Sequence, residues 1–446
     1  MSKQRIQLSD HFTYSRLLRF VLPCIGTMLF TSIYGIVDGL CVSNFVGKTA
    51  FAAVNLIMPL PMLLGTIGFM LGTGGSAIVG ITLGEGDQKK ADRYFTLFLL
   101  AALVSVSVLA VLGIVFLRPI AVLLGAKGEL LDYAVRYGRI LMVSLPTFAL
   151  QNMFQSFFVT AEKPHLGFWF TVGAGCTNMV LDVLMVGIWG WGVEGAAIAT
   201  FISQLVGGVL PVFYFIDRSN SSRLHLCKTS FYSKVLRDAC INGSSELMTN
   251  LSMSLVNILY NYQLLRLAGE NGVAAYGVIM YAAFLFVAVF VGYAVGSAPI
   301  VSFHYGARNH AEVHNLYRKS LRLIAVVAVT LTLASMFIIP CVARIFVGYD
   351  AELLALTSRA FRLYALSFLI MGFNVYASSF FTALGDGVTS ALISFLRTLA
   401  FQVIAILLLP LLLGIDGIWL AVTAAELAAL AVSAAMLLTK DKVFHY

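Results

Sequence analysis

The chain has little charge. Of its 446 residues only 11% are Asp, Glu, Lys or Arg, against about 25% in a soluble domain, so water is not the solvent its surface was built for. It has no GxxxxGK[ST] loop, no HExxH and no nucleophile elbow, which removes ATP as an energy source within the chain and the commonest hydrolytic chemistries. No CxxC pair exists. Cys24, Cys41, Cys176, Cys227, Cys240 and Cys341 are scattered, mostly in apolar runs where a free thiol behaves as a small hydrophobe. Met1 to Arg19 contains neither an apolar h-region nor a cleavage site, so the first apolar run is expected to remain as a helix. The net charge of +8 comes without a basic, aromatic platform, which argues against a nucleic-acid partner. His304, His310 and His314 surround a short loop, with Glu312 as the nearby acid. They lack closed-site spacing, and no metal is expected there.

What is present is apolar length. Hydrophobic residues make up 60% of the chain, and its mean hydropathy is +0.91. A crossing needs about 20 helical residues, so about twelve crossings fit. The expected fold is an all-α integral membrane protein of twelve transmembrane helices in two six-helix bundles. The first six are placed at 17–43, 52–83, 94–118, 134–160, 166–189 and 195–216. The second six are placed at 236–266, 273–303, 320–346, 357–384, 389–413 and 417–438. Breakers mark the connections: Gly84-Glu85-Gly86-Asp87, Lys163-Pro164 and Gly385-Asp386-Gly387. The polar stretch 217–235 reads as a linker between halves 1–216 and 236–446. Cations gather near the N-terminus (Lys3, Arg5, Arg16, Arg19), at 89–93, in and just after the linker, at 308–322 and at the C-terminus. The opposite loops hold few, among them Lys48, Arg118, Lys127, Arg266 and Arg344. Positive-inside places both termini and the linker in the cytoplasm.

The halves repeat each other. Gly75-Ser76-Ala77 returns as Gly296-Ser297-Ala298, and Gly84 as Gly306. Gly125 with Glu129-Leu130-Leu131 returns as Gly348 with Glu352-Leu353-Leu354, and Ser156-Phe157-Phe158 as Ser379-Phe380-Phe381. Gly192-Val193-Glu194-Gly195 returns as Gly414-Ile415-Asp416-Gly417, all at offsets of 221 to 223 residues. Copies with an even number of crossings enter from the same side, so a pseudo-two-fold axis along the membrane normal is expected. Two bundles around a cleft that opens to either face are the recurring plan of secondary transporters.

An ionisable group at membrane depth costs at least ~2.5–3.5 kcal/mol and is functional by default. Asp38 lies in the first span and Asp182 in the fifth, with Asn178 one turn before it on the same face. Together they form a candidate acidic cluster that exchanges a cation; the alternative is an inter-helix bond that only fixes packing. Thr200 and, one turn on, Gln204 are candidates to complete it, although a membrane threonine often satisfies its own backbone. The second half is not a chemical copy: Asn257 sits near the counterpart of Asp38, and the counterpart of Asp182 is apolar. Cation coupling is therefore expected in the first half. Glu426, the counterpart of Gln204, and Glu246 are candidates to bind cationic substrate or to serve in capping and packing. Arg397 is a candidate partner for either. Phe154 and Phe158, from the aromatic runs, are candidate lining for an adaptable apolar cleft, though most such rings pack or face lipid.

These residues resemble the multidrug and toxic compound extrusion (MATE) transporters over essentially the full length. The likeness rests on Leu22-Pro23, Asp38, Gly72-Thr73-Gly74-Gly75-Ser76-Ala77 and Leu83-Gly84-Glu85-Gly86-Asp87. It continues through Asn178 with Asp182 and Gly192-Val193-Glu194-Gly195-Ala196-Ala197. The resemblance implies export of cationic lipophilic compounds in exchange for H⁺ or Na⁺, from a bacterial or archaeal cytoplasmic membrane, with no other cofactor. By matching position, it implies that Asp38, Asn178, Asp182 and Thr200 are the cation site of the branch similar to DNA-damage-inducible protein F. Other branches place acids in the seventh and tenth helices, and here the tenth span has none in its apolar body. A rival cargo is a lipid-linked saccharide, moved by a flippase of related fold. It would call for several basic groups in the cleft, where only Arg397 stands out. One chain with two bundles can enclose a complete cleft, so a functional monomer is expected.

Overall fold

The computed structural model describes residues 6–46, 48–348 and 350–446; Lys3 and Arg5 lie outside them, as do the side chains of Cys41 and Lys48. Among the described residues the chain is helix joined by turns and irregular connections. The first half runs α1 (Tyr14–Phe45), α2 (Lys48–Ile57), α3 (Pro59–Gly84), α4 (Gln88–Leu123) and α5 (Gly128–Thr160). It continues with α6 (Pro164–Asp182), a π-helical turn Val183–Ile188, α7 (Gly192–Gly208) and α8 (Leu210–Ile216). The second half runs α9 (Ser233–Asn242), α10 (Ser244–Gly306), α11 (His310–Val347), α12 (Ala351–Ala365) and α13 (Phe368–Ala383). It ends with α14 (Gly387–Phe395), a second π-helical turn Leu396–Ala400, α15 (Phe401–Leu413) and α16 (Ile415–Phe444).

Each of the twelve expected segments falls on helix, but several are broken. Among the described residues nine helices are long and apolar enough to cross a membrane, and ten if α12 and α13, bent by 46°, count as one. The 63-residue α10 is about 95 Å long if straight, far beyond one crossing. It breaks at Gly269, whose φ of 61° and ψ of −151° only glycine adopts readily, and so supplies two expected segments. The second expected span divides before Pro59, which opens α3 without the amide a continuing helix would need.

The turns at one end are built alike. Asp87 caps α4 through the Lys90 amide, Asn309 caps α11 through that of Glu312, and Asp386 caps α14 through that of Thr389. The preceding Gly86 and Gly385 have φ of 87° and 83°. Residues 6–13, the C-terminal Tyr446 and the linker gather here. The Tyr446 ring packs on Tyr317 and Phe380, and Arg223 of the linker lies 4.9 Å from the Phe303 ring. The linker stays close to α4: the amides of His225 and Cys227 donate to Asp92 Oδ1 and Thr96 Oγ1. It opens on a tight turn in which the Ser219 amide and hydroxyl, each 2.9 Å from Asp217, hold that carboxyl below its usual range.

At this end the halves meet backbone to backbone. A Cβ on Gly84 would stand 2.0 Å from the Phe303 carbonyl oxygen, and one on Gly306 would stand 2.0 Å from that of Ile81. The counterparts by repeat, Gly84 and Gly306, thus face each other's helices reciprocally. That is the signature of a two-fold axis between α3 and α10. α9 bridges the same seam: Gly74 lies against its last turn, and Asn242 Nδ2 donates to the Thr382 carbonyl at 2.9 Å.

Candidate functional site

The first-half candidates converge because α1 and α6 approach closely. Gly175 makes room for them: a Cβ there would fall 2.5 Å from Phe30 and 3.2 Å from Tyr34. One turn further along α1, and one to two turns further along α6, Asp38 comes within hydrogen-bonding reach of both Asp182 and Asn178. Asp182 is fully buried and Asn178 nearly so. Asp182 ends α6, and the π-helical turn begins at the next residue, a distortion that recurs at functional sites.

The cluster is short of donors. Asp38 Oδ1, Asn178 Oδ1 and both Asp182 carboxylate oxygens are buried without a hydrogen-bond partner. Each such orphan costs roughly 1–3 kcal/mol, more when charged. Two carboxylates at this separation can be satisfied by sharing one proton, and the same set of oxygens suits a hard monovalent cation.

α6 and α7 form an antiparallel pair, with Gly173 beside Val206 and Gly195 beside Met185. Thr200 therefore lies level with Asn178 and Asp182. Its hydroxyl donates to the Ala196 carbonyl at 3.0 Å, which leaves its lone pairs free to accept. Gln204 lies one turn away, buried, with Oε1 unpartnered. Sequence reasoning missed two tyrosines. Tyr137 of α5, 1% exposed, lies within electrostatic reach of both acids, and Tyr34 within reach of Asp38. The sequence signal for Tyr34 was its position one turn before Asp38. Tyr137 carried none, because α5 reaches the cluster only through tertiary packing.

The second-half candidates do not assemble in the same way. Glu426 of α16 is 1% exposed. It accepts from Asn374 Nδ2 at 2.7 Å and pairs with Arg397, in the second π-helical turn, at 3.6 Å. Ser433 completes this set by donating to Asn374 Oδ1 at 2.9 Å. Glu246, in the first turn of α10, is half-buried and also feels the Arg397 charge. Asn257 is exposed on α10 and accepts from Asn261, apart from this network. Phe154 and Phe158, the candidate lining, are packed in the first half. They are 1% and 2% exposed, and Phe215 packs against both. The three histidines form no metal cluster: among the described residues no group of three or more His, Cys, Asp or Glu is placed to hold a metal.

Comparison with known proteins follows the same geometry. The MatE family model matches twice, over residues 23–184 and 247–408, once in each half. The multidrug export protein MepA of Staphylococcus saprophyticus is 21% identical over 436 residues, covering 96% of this chain and 95% of that one. MepA of Staphylococcus aureus is 22% identical over 433 residues, with 96% and 95% covered. Among solved structures, an outward-facing multidrug resistance MATE transporter of the MOP superfamily superimposes with a TM-score of 0.93. It is 23% identical, with 100% of this chain and 99% of that one covered. A MOP superfamily transporter from Pyrococcus furiosus gives 0.91 at 22% identity, with both chains fully covered. Matched in both repeats over well more than half its length, and sharing the whole fold, the chain belongs to the MatE family of membrane transporters.

Proposed function

We propose that the protein is a multidrug efflux transporter that exports cationic lipophilic compounds by H⁺ or Na⁺ antiport with alternating access. The observation that carries this reading is the donor-poor cluster of Asp38, Asn178 and Asp182, with buried oxygens that lack partners. Such a site is emptied and refilled by a cation at little structural cost. Substrate and cation favour different states of the cleft, and coupling requires no more than that difference. Thr200 adds an acceptor, and the cluster follows the pattern of the branch similar to DNA-damage-inducible protein F. The staphylococcal relatives are multidrug export proteins, which agrees with this reading.

The end bearing the termini, the linker and most loop cations is assigned to the cytoplasm, in a bacterial or archaeal membrane. Halves 1–216 and 236–446 are the moving bodies, and one chain suffices for transport. Gln204, Glu246, Asn257, Glu426, Phe154 and Phe158 are the proposed substrate contacts. Lipid-linked saccharide is the weaker cargo: Arg397, the basic group that reading needs, is engaged by Glu426.

Ethidium efflux tests the reading in cells or inverted vesicles, with the proton and sodium gradients collapsed one at a time. Asp38→Asn and Asp182→Asn are expected to insert at wild-type levels and to lose efflux, and one gradient alone is expected to drive the wild type. Full efflux by both variants at equal expression rejects the coupling site. No dye movement by well-folded wild type under any gradient rejects cationic cargo.

A further inference from the structure

Two peptide segments cross the seam at the end where the halves touch, and they do so in reciprocal fashion. Residues 6–13 lead into α1 and lie against the first half, where the Leu8 amide donates to Glu162 Oε1 at 2.9 Å. They reach over to α11 of the second half. There the Phe12 amide donates to Glu312 Oε1 at 2.8 Å, and His11 Nδ1 lies 2.6 Å from Glu312 Oε2. Lys319 Nζ and Asn315 Nδ2 donate to the Phe12 carbonyl at 2.6 and 3.2 Å. Leu8 and Phe12 are fully buried, so the segment is seated rather than laid on the surface.

The linker does the same in the other direction. It leads into α9, as residues 6–13 lead into α1, and it grips α4, the repeat counterpart of α11. Asp92 Oδ1 accepts from the His225 amide at 3.0 Å, Thr96 Oγ1 from Cys227 at 3.1 Å, and the Arg223 carbonyl from Gln88 Nε2 at 2.6 Å. The two segments meet at a depression of 330 Å³ lined by Gln7, Ser9, Glu162, Ser221 and Arg223.

We propose that these segments are a pair of clasps that hold this end of the cleft shut, anchored by Glu312 of α11 and Asp92 of α4. The proposal rests on the alternating-access reading. Residues 6–13 belong by chain continuity to α1 and hydrogen-bond to α11 across the seam, whereas the linker runs from α8 to α9 and is fixed on α4 before it crosses. Parting the halves here therefore breaks the bonds at Glu312, and it loads those at Asp92 through the stretch that leads into α9. Both anchors accept a backbone amide on a carboxylate, a bond about twice as strong as a neutral one. The closed state is favoured by as much as those bonds contribute.

The test uses the full chain in lipid nanodiscs, with the native cysteines replaced by alanine and spin labels at His165→Cys and Arg318→Cys, one exposed site in each half. Double electron–electron resonance reads the fraction of molecules with a long separation. Glu312→Ala and Asp92→Ala are each expected to raise that fraction about tenfold, the equivalent of losing one or two charge-assisted bonds. Glu312→Gln keeps an acceptor for the Phe12 amide and is expected to do less. Should Glu312→Ala fail to fold, Lys319→Met removes only the ammonium on the Phe12 carbonyl and carries the same expectation at smaller amplitude. Wild type that opens, with folded anchor variants that open no more often, overturns the clasp and leaves antiport intact. A separation that never lengthens in any protein, with ethidium and either cation present, overturns alternating access and the clasp together.

Discussion

Asp182 and Glu426 are both buried acids in membrane helices, yet their surroundings give them opposite characters. Asp182 has two oxygens without a partner, whereas Glu426 has Asn374 on one oxygen and Arg397 near the other. The first presents unpartnered oxygens, and the second already has a cation, the Arg397 guanidinium, tethered to it. Breaking a buried ion pair from one side strands the other charge, which costs about 3–5 kcal/mol. Arg397→Met is therefore expected to lower the melting temperature in detergent by several degrees, and Arg397→Met with Glu426→Gln to recover most of the loss. If the single variant melts like wild type, Glu426 has another source of compensation. Asp38→Asn, by contrast, removes a charge that has no tethered partner, so its loss is expected in transport and not in stability.

At the scale of elements, glycine decides how closely helices approach. Gly84 and Gly306 each leave no room for a side chain against the other's helix, and such close packing of small residues is how membrane helices associate without a hydrophobic driving force. Gly84→Leu is expected to wedge α3 from α10 and hold this end apart. The protein would insert at wild-type levels and show at least tenfold slower ethidium efflux. Wild-type efflux by that variant would mean that the halves do not need this contact. The π-helical turns matter at the same scale. Each interrupts a helix beside the polar cluster of its half, and each breaks a run that reads as uninterrupted in the sequence.

For the whole molecule, the backbone contacts at the seam and the two clasps lie at the same end. The reciprocal contacts of Gly84 and Gly306 put both halves of the axis in one chain. On the proposed reading in which one chain suffices for transport, inactive Asp38→Asn co-expressed with wild type is expected to leave efflux per wild-type molecule unchanged. A dominant-negative effect at matched expression would point instead to an obligate oligomer.

Composition, apolar run length and the repeat were enough to make the chain an all-α membrane protein of two related halves, because lipid admits few ways to satisfy a backbone. The Asp38, Asn178 and Asp182 cluster was legible for the same reason: an acid or amide in an apolar helix stands out against its neighbours. Tyr137 and the Asn374–Glu426–Arg397–Ser433 network were only partly legible or not at all. Their residue types are ordinary in sequence, and their meaning comes from which helices lie side by side. Phe154 and Phe158 show the limit most plainly, since an aromatic run looks alike whether it lines a cleft or fills a core. Whether a side chain meets a ligand, lipid or another ring is decided by helix rotation and packing. Those are properties of the assembled bundle, and no single segment encodes them.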